Sequence, residues 1–217
     1  MKKPYVIVNC AMTADGKLAL PSGKQLRISN DEDIKRMFHL RNDCDAVLVG
    51  YGTILSDNPK LTVKKKYVED PKNPIRVILD THCRTDPKSL AVNDKAKTLI
   101  MTTKNCDKKY SDNVEIIKCS IDHERFVSLN EVLEKLYDYG IRKLLVEGGS
   151  TVIWNFLKHR LVDDMFVFIG PVVVGGECTP TLADGNGIEK EEHKINLEIK
   201  SVKIIGNGLL VHYKLIK

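Results

Sequence analysis

Short apolar runs alternate along this chain with segments that have the spacing of amphipathic helices. The runs are rich in β-branched residues, which favours strands buried in a sheet, and they lie at positions 5–11, 46–49, 75–79, 98–102, 114–118, 143–146 and 165–169. Two helices are predicted to begin at capping boxes, Ser29 with Glu32 and Ser128 with Glu131. Strands alternating with helices predict an α/β fold whose mainly parallel sheet has helices on both faces.

The C-terminal part of the chain breaks this alternation. Two extended runs, residues 195–205 and 209–216, flank the turn sequence Gly206-Asn207-Gly208. This arrangement is typical of an antiparallel hairpin, which we expect to add edge strands to the sheet. A chain of 217 residues with 42% hydrophobic residues can bury a full core and has the size of one domain. We therefore predict a single domain over residues 1–217.

Composition argues against nucleic-acid and membrane partners. The 34 basic and 29 acidic residues leave a net charge of +5, which favours anionic small molecules over a nucleic-acid groove. No apolar stretch approaches the roughly 18 residues of a membrane helix, and the N-terminal apolar run is too short for a signal peptide. We expect a soluble protein of the cytoplasm.

The spacing of cysteines and histidines predicts no metal centre. The six cysteines include no Cys-x-x-Cys pair, so we expect reduced thiols rather than a zinc knuckle or a disulfide framework. The six histidines lack metal-binding spacing, and the motif of zinc deaminases is missing.

Polar and glycine residues follow three of the predicted strands. They form the stretches Thr13-Ala14-Asp15-Gly16-Lys17, Gly50-Tyr51-Gly52-Thr53 with Asp57, and Glu147-Gly148-Gly149-Ser150-Thr151. In an open α/β sheet, ligands bind outside the carboxyl ends of the strands. We expect the three loops to meet over one crevice.

The glycine turn after residue 146 is the best candidate for a phosphate site. Gly148 and Gly149 would allow a phosphate to approach backbone N–H groups at a helix start, and Ser150 and Thr151 add hydroxyls. The alternative is an ordinary strand–helix turn with a Ser or Thr cap. Glu147 ends a core strand, where a carboxylate is costly to desolvate unless it is paired or functional.

The sequence Gly50-Tyr51-Gly52 begins like a dinucleotide-binding loop but does not continue as one. Leu55 stands where a Rossmann fingerprint has its third glycine, and no acidic residue ends a strand about 20 residues later. Asp57 is a site candidate, with a turn residue capping a short helix from near Thr53 as the alternative. Lys17 is a second candidate, with a solvated turn as the alternative.

Basic residues near these loops suit a sugar phosphate, which needs two or three cationic donors. Arg27, Arg41 and Lys64 are the candidates, although Lys64 also fits a solvated loop. The strand-end segment Asp80-Thr81-His82-Cys83-Arg84 offers an acid for a ribose hydroxyl and a cation for the added phosphate of NADP, with a plain polar loop as the alternative. Trp154 and Phe156 are expected in the core.

Longer motifs carry a family resemblance. The segments MTADGK, ISNDEDIKRMFHLRNDCDAVLVGYGTILSDNPKLTV, PIRVILD, LLVEGGSTVIWNFL and LVDDMFVFIGPVVVGG occur in one order over most of the chain. In that order they resemble the reductases of riboflavin biosynthesis. The resemblance is to the stand-alone archaeal-type reductase and to the related reductase half of the bacterial bifunctional deaminase-reductase. The resemblance implies a dihydrofolate-reductase-like fold, a homodimer and NADPH as hydride donor, with NADH possible.

The resemblance also implies roles for individual residues. The cofactor side is expected to use Thr53, Asp57, Asp80, Thr81, His82, Gly148, Gly149, Ser150 and Thr151, and the substrate side Arg41, Leu61 and Lys64, with Arg27 added from its position. Lys17, Asp57 and Glu147 are the expected catalytic group. Bacterial relatives commonly carry Arg where this chain has Lys64, which keeps the charge but loses the bidentate fork.

The expected reaction is the reduction of the ribosyl group of a phosphorylated ribosylaminopyrimidinone to a ribityl chain. A closed ribosylamine ring cannot accept hydride, so the ring is expected to open to an imine at C1′ first. Two alternatives stay open: a pterin or folate reductase on the same fold, because fold does not determine substrate, and a basic nucleic-acid or nucleotide-binding module without catalysis.

Overall fold

The computed structural model of the chain describes residues 2–216. Over these residues, nine strands form a mixed sheet that is mostly parallel and ends in a C-terminal antiparallel hairpin, accompanied by four α-helices. The predicted fold class is confirmed. The strands are β1 Tyr5–Thr13, β2 Ala46–Gly50, β3 Ile75–Leu79, β4 Thr98–Thr102, β5 Val114–Lys118, β6 Lys143–Val146, β7 Asp164–Gly170, β8 Leu197–Ile205 and β9 Gly208–Leu215, and the helices are α1 Asp31–Asn42, α2 Tyr51–Asp57, α3 Leu129–Asp138 and α4 Ser150–Lys158.

The chain divides into two compact units. One comprises residues 2–5 and 38–145, and the other comprises residues 6–37 and 146–216. The prediction of a single domain stays a prediction.

The first unit is built around the strand order β5-β4-β3-β2-β6. Its pairs β2–β3, β3–β4 and β4–β5 are parallel. Every residue of β2 and of β4 is buried, which explains why these strands are uninterrupted apolar runs rather than alternating ones. Their carboxyl ends therefore emerge from a packed core that holds the following loops in place.

The second unit has the strand order β1-β7-β9-β8. The β1–β7 pair is parallel, while β7–β9 and β8–β9 are antiparallel, as the hairpin sequence predicted. Gly208 follows the hairpin turn, and a Cβ there would clash with the Phe168 ring. In β8, Ile199, Val202 and Ile204 are exposed, and Ile204 reaches 82%.

The two predicted capping boxes are only partly correct. At α1 the cap is Asn30, whose Oδ1 accepts the Asp33 N–H at 2.9 Å, and the Ser29 hydroxyl instead donates to the Asp33 carboxylate. Ser128 does stand at the N-cap of α3, but without a side-chain capping bond. Glu131 accepts the Ser120 N–H at 2.6 Å instead of closing a box. At α1 the cap lies one residue later than predicted, and at α3 a bond from Ser120 replaces the capping box.

The expectation of reduced thiols is wrong for two cysteines. Cys83 and Cys106 form a disulfide with a Cα–Cα distance of 5.8 Å across a sequence separation of 23. The pairing depends on the close approach of two loops, which spacing in the sequence did not reveal. Cys10, Cys44, Cys119 and Cys178 do not take part in a disulfide. Burial raises the pKa of the Cys10 thiol to about 12, so it is protonated at neutral pH.

Arg76 is a fully buried cation in β3. Its guanidinium donates to the Leu90 carbonyl at 3.2 Å, to Asn93 Oδ1 at 2.9 Å, and to the carbonyls of Asn93 and Ala96. Burial lowers its pKa to about 10, which still leaves it charged at neutral pH. Arg76 thereby ties the loop before β4 to the sheet. No helix within residues 2–216 is long and apolar enough to span a membrane.

Candidate active site

The first unit places Thr53 and Asp57 on α2. This helix begins at Tyr51, directly after β2, and Asp57 is its last residue. Both side chains are half-buried, and Asp57 Oδ1 accepts the Ser56 hydroxyl at 2.7 Å. A short helix like that of the alternative is therefore present, with Asp57 at its end, and whether Asp57 is a site residue or a turn residue stays a prediction. A spacing of four residues puts Thr53 and Asp57 on the same side of the helix.

Asp80 lies at the end of β3 and is fully buried. Its Oδ2 accepts the Thr85 N–H at 2.6 Å and the Thr85 hydroxyl at 2.7 Å. Its Oδ1 is also buried and accepts no hydrogen bond from the described residues. One carboxylate oxygen thus closes the turn from 80 to 85, while the other retains its capacity to accept a hydrogen bond.

Arg84 lies next to this carboxylate. Its Nε is 3.9 Å from Asp80 Oδ1, and its guanidinium stacks 4.2 Å from the centre of the Tyr51 ring. The side chain is 54% exposed, so one face is held and the rest is open to solvent. The structure therefore places a positioned cation beside the ends of β2 and β3. His82, predicted for the cofactor, is exposed in the same turn.

Thr81 is buried and works mainly through its backbone. Its carbonyl accepts the Thr102 hydroxyl at 3.1 Å and the Thr103 hydroxyl at 2.9 Å. Its own hydroxyl accepts the Val127 N–H at 3.3 Å. These bonds attach the turn after β3 to the chain after β4, so the predicted cofactor segment is rigidly supported.

Arg41 and Lys64, two of the three predicted phosphate ligands, lie around one aromatic ring. Each cationic group is 5.4 Å from the centre of Phe38. Arg41 Nη1 also donates to the Thr62 carbonyl at 3.1 Å, and Phe38 stacks on Tyr67 with ring centres 4.9 Å apart. This arrangement brings two of the three predicted phosphate ligands to one aromatic ring of the first unit.

Leu61, the other predicted substrate residue, has its side chain in the core, at 2% exposure. Its φ is 51°, in the left-handed region that costs a non-glycine residue about 1–3 kcal/mol. A contact between Leu61 and a ligand would therefore come from its backbone groups, whose orientation is set by this left-handed conformation.

Lys17 and Arg27 belong to the second unit and have different surroundings. Lys17 is half-buried, its N–H donates to Thr13 Oγ1 at 2.8 Å, and its Nζ lies 3.5 Å from the Thr179 carbonyl. The turn of the alternative is present, with the Gly16 N–H donating to the Thr13 carbonyl at 2.9 Å, so the role of Lys17 stays a prediction. Arg27 is 72% exposed and pairs with Asp31 at 2.6 Å, as a surface residue does.

Glu147 and the glycine turn connect β6 to α4. Glu147 is half-buried and directly follows the buried residues of β6. Gly148 has a φ of 118°, and its peptide bond to Gly149 is cis. Gly149 stands at the N-cap of α4, where no side-chain capping bond forms among the described residues. The alternative of a Ser or Thr cap is therefore wrong, and the first N–H groups of α4 have no side-chain cap.

Sequence reasoning passed over Asp15 as a turn residue. Its carboxylate accepts the Thr13 hydroxyl at 2.6 Å and the Gly175 N–H at 2.7 Å. The hydrogen bond from the Thr13 hydroxyl, followed in size by that from the Gly175 N–H, lowers the pKa of Asp15 to about 2. The two partners are 160 residues or more from each other along the chain, so no local pattern predicted this role.

Metal ligands are not grouped in the described part of the chain. Within residues 2–216, no three side chains of the types His, Cys, Asp and Glu lie together in a group that could hold a metal ion. The expectation that no metal takes part stays a prediction, as does the meeting of the three loops over one crevice.

Comparison with known proteins shows which family the chain resembles. The family model described as the RibD C-terminal domain matches residues 4–211. A 2,5-diamino-6-ribosylamino-4(3H)-pyrimidinone 5′-phosphate reductase from Methanothermobacter thermautotrophicus is 39% identical over 212 residues, which covers 97% of this chain and 98% of the relative.

Two solved structures show the same fold. The diaminohydroxyphosphoribosylaminopyrimidine deaminase/5-amino-6-(5-phosphoribosylamino)uracil reductase from Thermotoga maritima has a TM-score of 0.85 at 28% identity, with 99% of this chain and 57% of the other covered. Dihydrofolate reductase from Enterococcus faecalis has a TM-score of 0.54 at 13% identity, with 98% of this chain and 97% of the other covered, and it shows the fold alone.

The fold and these relatives define a class, the reductases with a dihydrofolate-reductase-like sheet. The chain belongs to the RibD C-terminal domain family. It is an enzyme of the oxidoreductase type, as the resemblance predicted.

Proposed function

We propose that this protein catalyses the NADPH-dependent reduction of the ribosyl group of 2,5-diamino-6-ribosylamino-4(3H)-pyrimidinone 5′-phosphate to the ribityl chain, in riboflavin biosynthesis. One observation carries the proposal. A reductase of that printed name matches nearly the full length of both chains at 39% identity. The residues of the two units support it in three respects, concerning the phosphate, the cofactor and the proton transfers.

Arg41 and Lys64 are the proposed ligands of the substrate phosphate. Both cationic groups lie 5.4 Å from the centre of the Phe38 ring, so each is placed to donate to a phosphate dianion bound beside that ring. A pterin without a phosphate would make no such contact. Arg27 has a surface ion pair and is the weaker of the three predicted ligands.

The residues of the two predicted cofactor segments fit a nicotinamide dinucleotide. At the start of α4 the N–H groups lack a side-chain cap, and a Cβ at Gly148 would meet no atom closer than 4.0 Å. Space at Gly148 and N–H groups without a side-chain cap together suit a pyrophosphate. In the turn after β3, the buried Asp80 Oδ1 can accept a ribose hydroxyl. Thr53, Thr81, Ser150 and Thr151 remain proposed cofactor ligands.

Arg84 is the basis for proposing NADPH rather than NADH. The extra phosphate of NADPH is an anion, and Arg84 offers an exposed guanidinium that Tyr51 and Asp80 hold in place. The exposed His82 can add a second donor.

The proposed mechanism opens the sugar before it is reduced. The exocyclic amine loses its proton, the ring oxygen gains one, and a C=N bond forms at C1′ as the C1′–O bond breaks. Glu147 and Asp57 are the proposed carriers of these protons. The Lys17 ammonium, which lies 3.5 Å from the Thr179 carbonyl, orients the sugar hydroxyls and offsets carboxylate charge. NADPH would supply the hydride that C1′ needs, and Glu147 or Asp57 is the proposed source of the proton that returns to the amine nitrogen.

The proposal includes a homodimer in the cytoplasm, where NADPH and phosphorylated sugars are produced. Its support is the exposed apolar side of the hairpin, formed by Ile199, Val202 and Ile204. Exposed apolar patches on a folded protein commonly mark protein–protein contacts. A monomeric mass at micromolar concentration would contradict the dimer without affecting the proposed chemistry.

A direct assay tests the proposed function. The protein is mixed with NADPH and either the ribosylaminopyrimidinone phosphate, its deaminated form or dihydrofolate, and loss of reduced nicotinamide absorbance is followed. We expect turnover with the ribosylamino substrate and none with dihydrofolate. Turnover of dihydrofolate alone would establish the pterin alternative, and steeply salt-dependent DNA binding without turnover would favour the non-catalytic one.

A further inference from the structure

The loop after β7 is attached to the turn after β1 by backbone bonds, such as that from the Ala14 N–H to the Val172 carbonyl at 2.8 Å, and by one carboxylate, that of Asp15. Asp15 Oδ1 accepts the Thr13 hydroxyl at 2.6 Å and the Val174 N–H at 3.2 Å, while Oδ2 accepts the Gly175 N–H at 2.7 Å. Asp15 is exposed, yet both of its oxygens are engaged. An exposed carboxylate with three donors from two distant segments serves to hold those segments together.

Lys17 lies at the other end of the same set of contacts. The Thr13 hydroxyl that donates to Asp15 also accepts the Lys17 N–H at 2.8 Å, and the Thr13 N–H donates to the Lys17 carbonyl at 2.9 Å. The Lys17 Nζ lies 3.5 Å from the carbonyl of Thr179, in the same loop that Asp15 holds. Asp15 therefore supports Lys17 on its backbone and, through the loop, at its ammonium group.

The loop itself is shaped for this contact. Gly175 and Gly176 have φ values of 71° and 86°, in the region where other residues are strained. A Cβ at Gly176 would clash with the hydroxyl of Thr179, which is 2% exposed. The Leu18 N–H donates to the Pro180 carbonyl at 2.9 Å, and Lys17 forms a β-bridge with Thr181. The path of the loop past Lys17 is thus determined on both sides of Thr179.

We infer that Asp15 is a positioning residue of the reduction, which orients the Lys17 ammonium by tying the loop of residues 172–181 to the turn of residues 13–17. The inference rests on the proposed function, because it takes Lys17 as a catalytic residue. Asp15 does not touch the substrate in this account, and its whole effect passes through Lys17.

A double-mutant cycle tests this dependence. The variants are Asp15→Asn, Lys17→Ala and the double variant, with Asp70→Asn as an exposed control in the loop before β3. Asp15→Asn is expected to lower kcat about 10-fold with an unchanged Kd for NADPH, measured by fluorescence. In the Lys17→Ala background the same change should have almost no further effect. A purely structural role would lower kcat by the same factor in both backgrounds.

Thr13 supplies a second pair of variants in case Asp15→Asn fails to fold. Thr13→Val removes the hydroxyl that links Asp15 to Lys17 with little change in volume, and Thr13→Ser keeps the hydroxyl. We expect Thr13→Val to lower kcat as Asp15→Asn does, and Thr13→Ser to stay near the wild-type rate. Equal rates for the two variants would overturn the inference.

Hydrogen exchange provides a readout that needs no substrate. The N–H groups of Val174 and Gly175 donate to Asp15, so Asp15→Asn should speed their exchange and that of Leu18, whereas Asp70→Asn should not. Unchanged exchange in residues 172–181 would overturn the inference that Asp15 ties this loop to the turn of residues 13–17. If Lys17→Ala itself keeps the wild-type kcat, the role of Lys17 in the proposed function fails as well. If Lys17→Ala is slow but Asp15→Asn is not, only the present inference fails.

Discussion

An acidic residue follows a buried strand in both the turn after β3 and the turn after β6, yet different hydrogen bonds hold the two turns. After β3, Asp80 is fully buried, and its carboxylate closes the turn on Thr85. After β6, Glu147 is half-buried and leads into two glycines and an α4 start that has no side-chain cap.

The two turns therefore have different roles. The turn after β3 supports the fold, and the turn after β6 offers groups that can bind a ligand. At Asp80 the carboxylate accepts hydrogen bonds from Thr85 inside the protein. A substitution of Asp80 therefore removes an internal partner and lowers stability. At the start of α4 no side chain caps the backbone N–H groups, so these groups can bind a ligand without the loss of a capping bond. Substitutions in the two turns should therefore change different measured quantities.

The largest expected effect is on turnover, in the turn after β6. Glu147→Gln keeps the size of the side chain but removes its ability to carry a proton, so kcat should fall about 100-fold or more with folding intact. Lys17→Ala and Asp57→Asn should have effects of similar size. Steady-state kinetics and thermal unfolding measure the two quantities, and Glu69→Gln, in the polar loop before β3, serves as the control. Near-wild-type rates in all three variants would remove the catalytic assignment.

The next effect is on stability, in the turn after β3. Asp80→Ala leaves the Thr85 N–H without its acceptor in a buried place, so the free energy of unfolding should fall by about 2 kcal/mol. Urea unfolding measures the loss, and Asp112→Ala, at an exposed position before β5, is the matched control. Full stability combined with lost cofactor binding would instead give Asp80 only a binding role.

A smaller effect should distinguish the two nicotinamide cofactors. Arg84→Ala removes the cation held on Tyr51, so KM for NADPH should rise about 10-fold while KM for NADH stays unchanged. Arg84→Lys keeps the charge and should lie between the two. An equal rise for both cofactors would mean that Arg84 does not read the extra phosphate.

The smallest effect belongs to the start of α4. Ser150 is the first residue of the helix and does not supply its cap, so Ser150→Ala should leave the unfolding free energy unchanged. Loss of one hydroxyl ligand should raise KM for NADPH about threefold. A loss of stability with unchanged KM would show that the turn after β6 is held by its side chains, like the turn after β3.

The sequence by itself determined the elements of the fold and their order. The runs that became β3, β4, β5 and β6 have the predicted bounds, and the Gly206-Asn207 turn forms the hairpin. Trp154 and Phe156 are in the core, as predicted. These features depend on periodicity and turn chemistry, which act between residues close in the chain. The motifs also indicated the family before any contact was known.

Only the tertiary structure decided which side chains meet. Cys83 pairs with Cys106, and Arg76 is buried under a loop. Arg41 and Lys64 share the Phe38 ring, and Asp15 holds residues 174 and 175. Each of these contacts joins groups whose distance depends on the packing of the sheet and its loops, and a hydrogen bond or ion pair forms only within a few ångströms. Local patterns carry no measure of that distance.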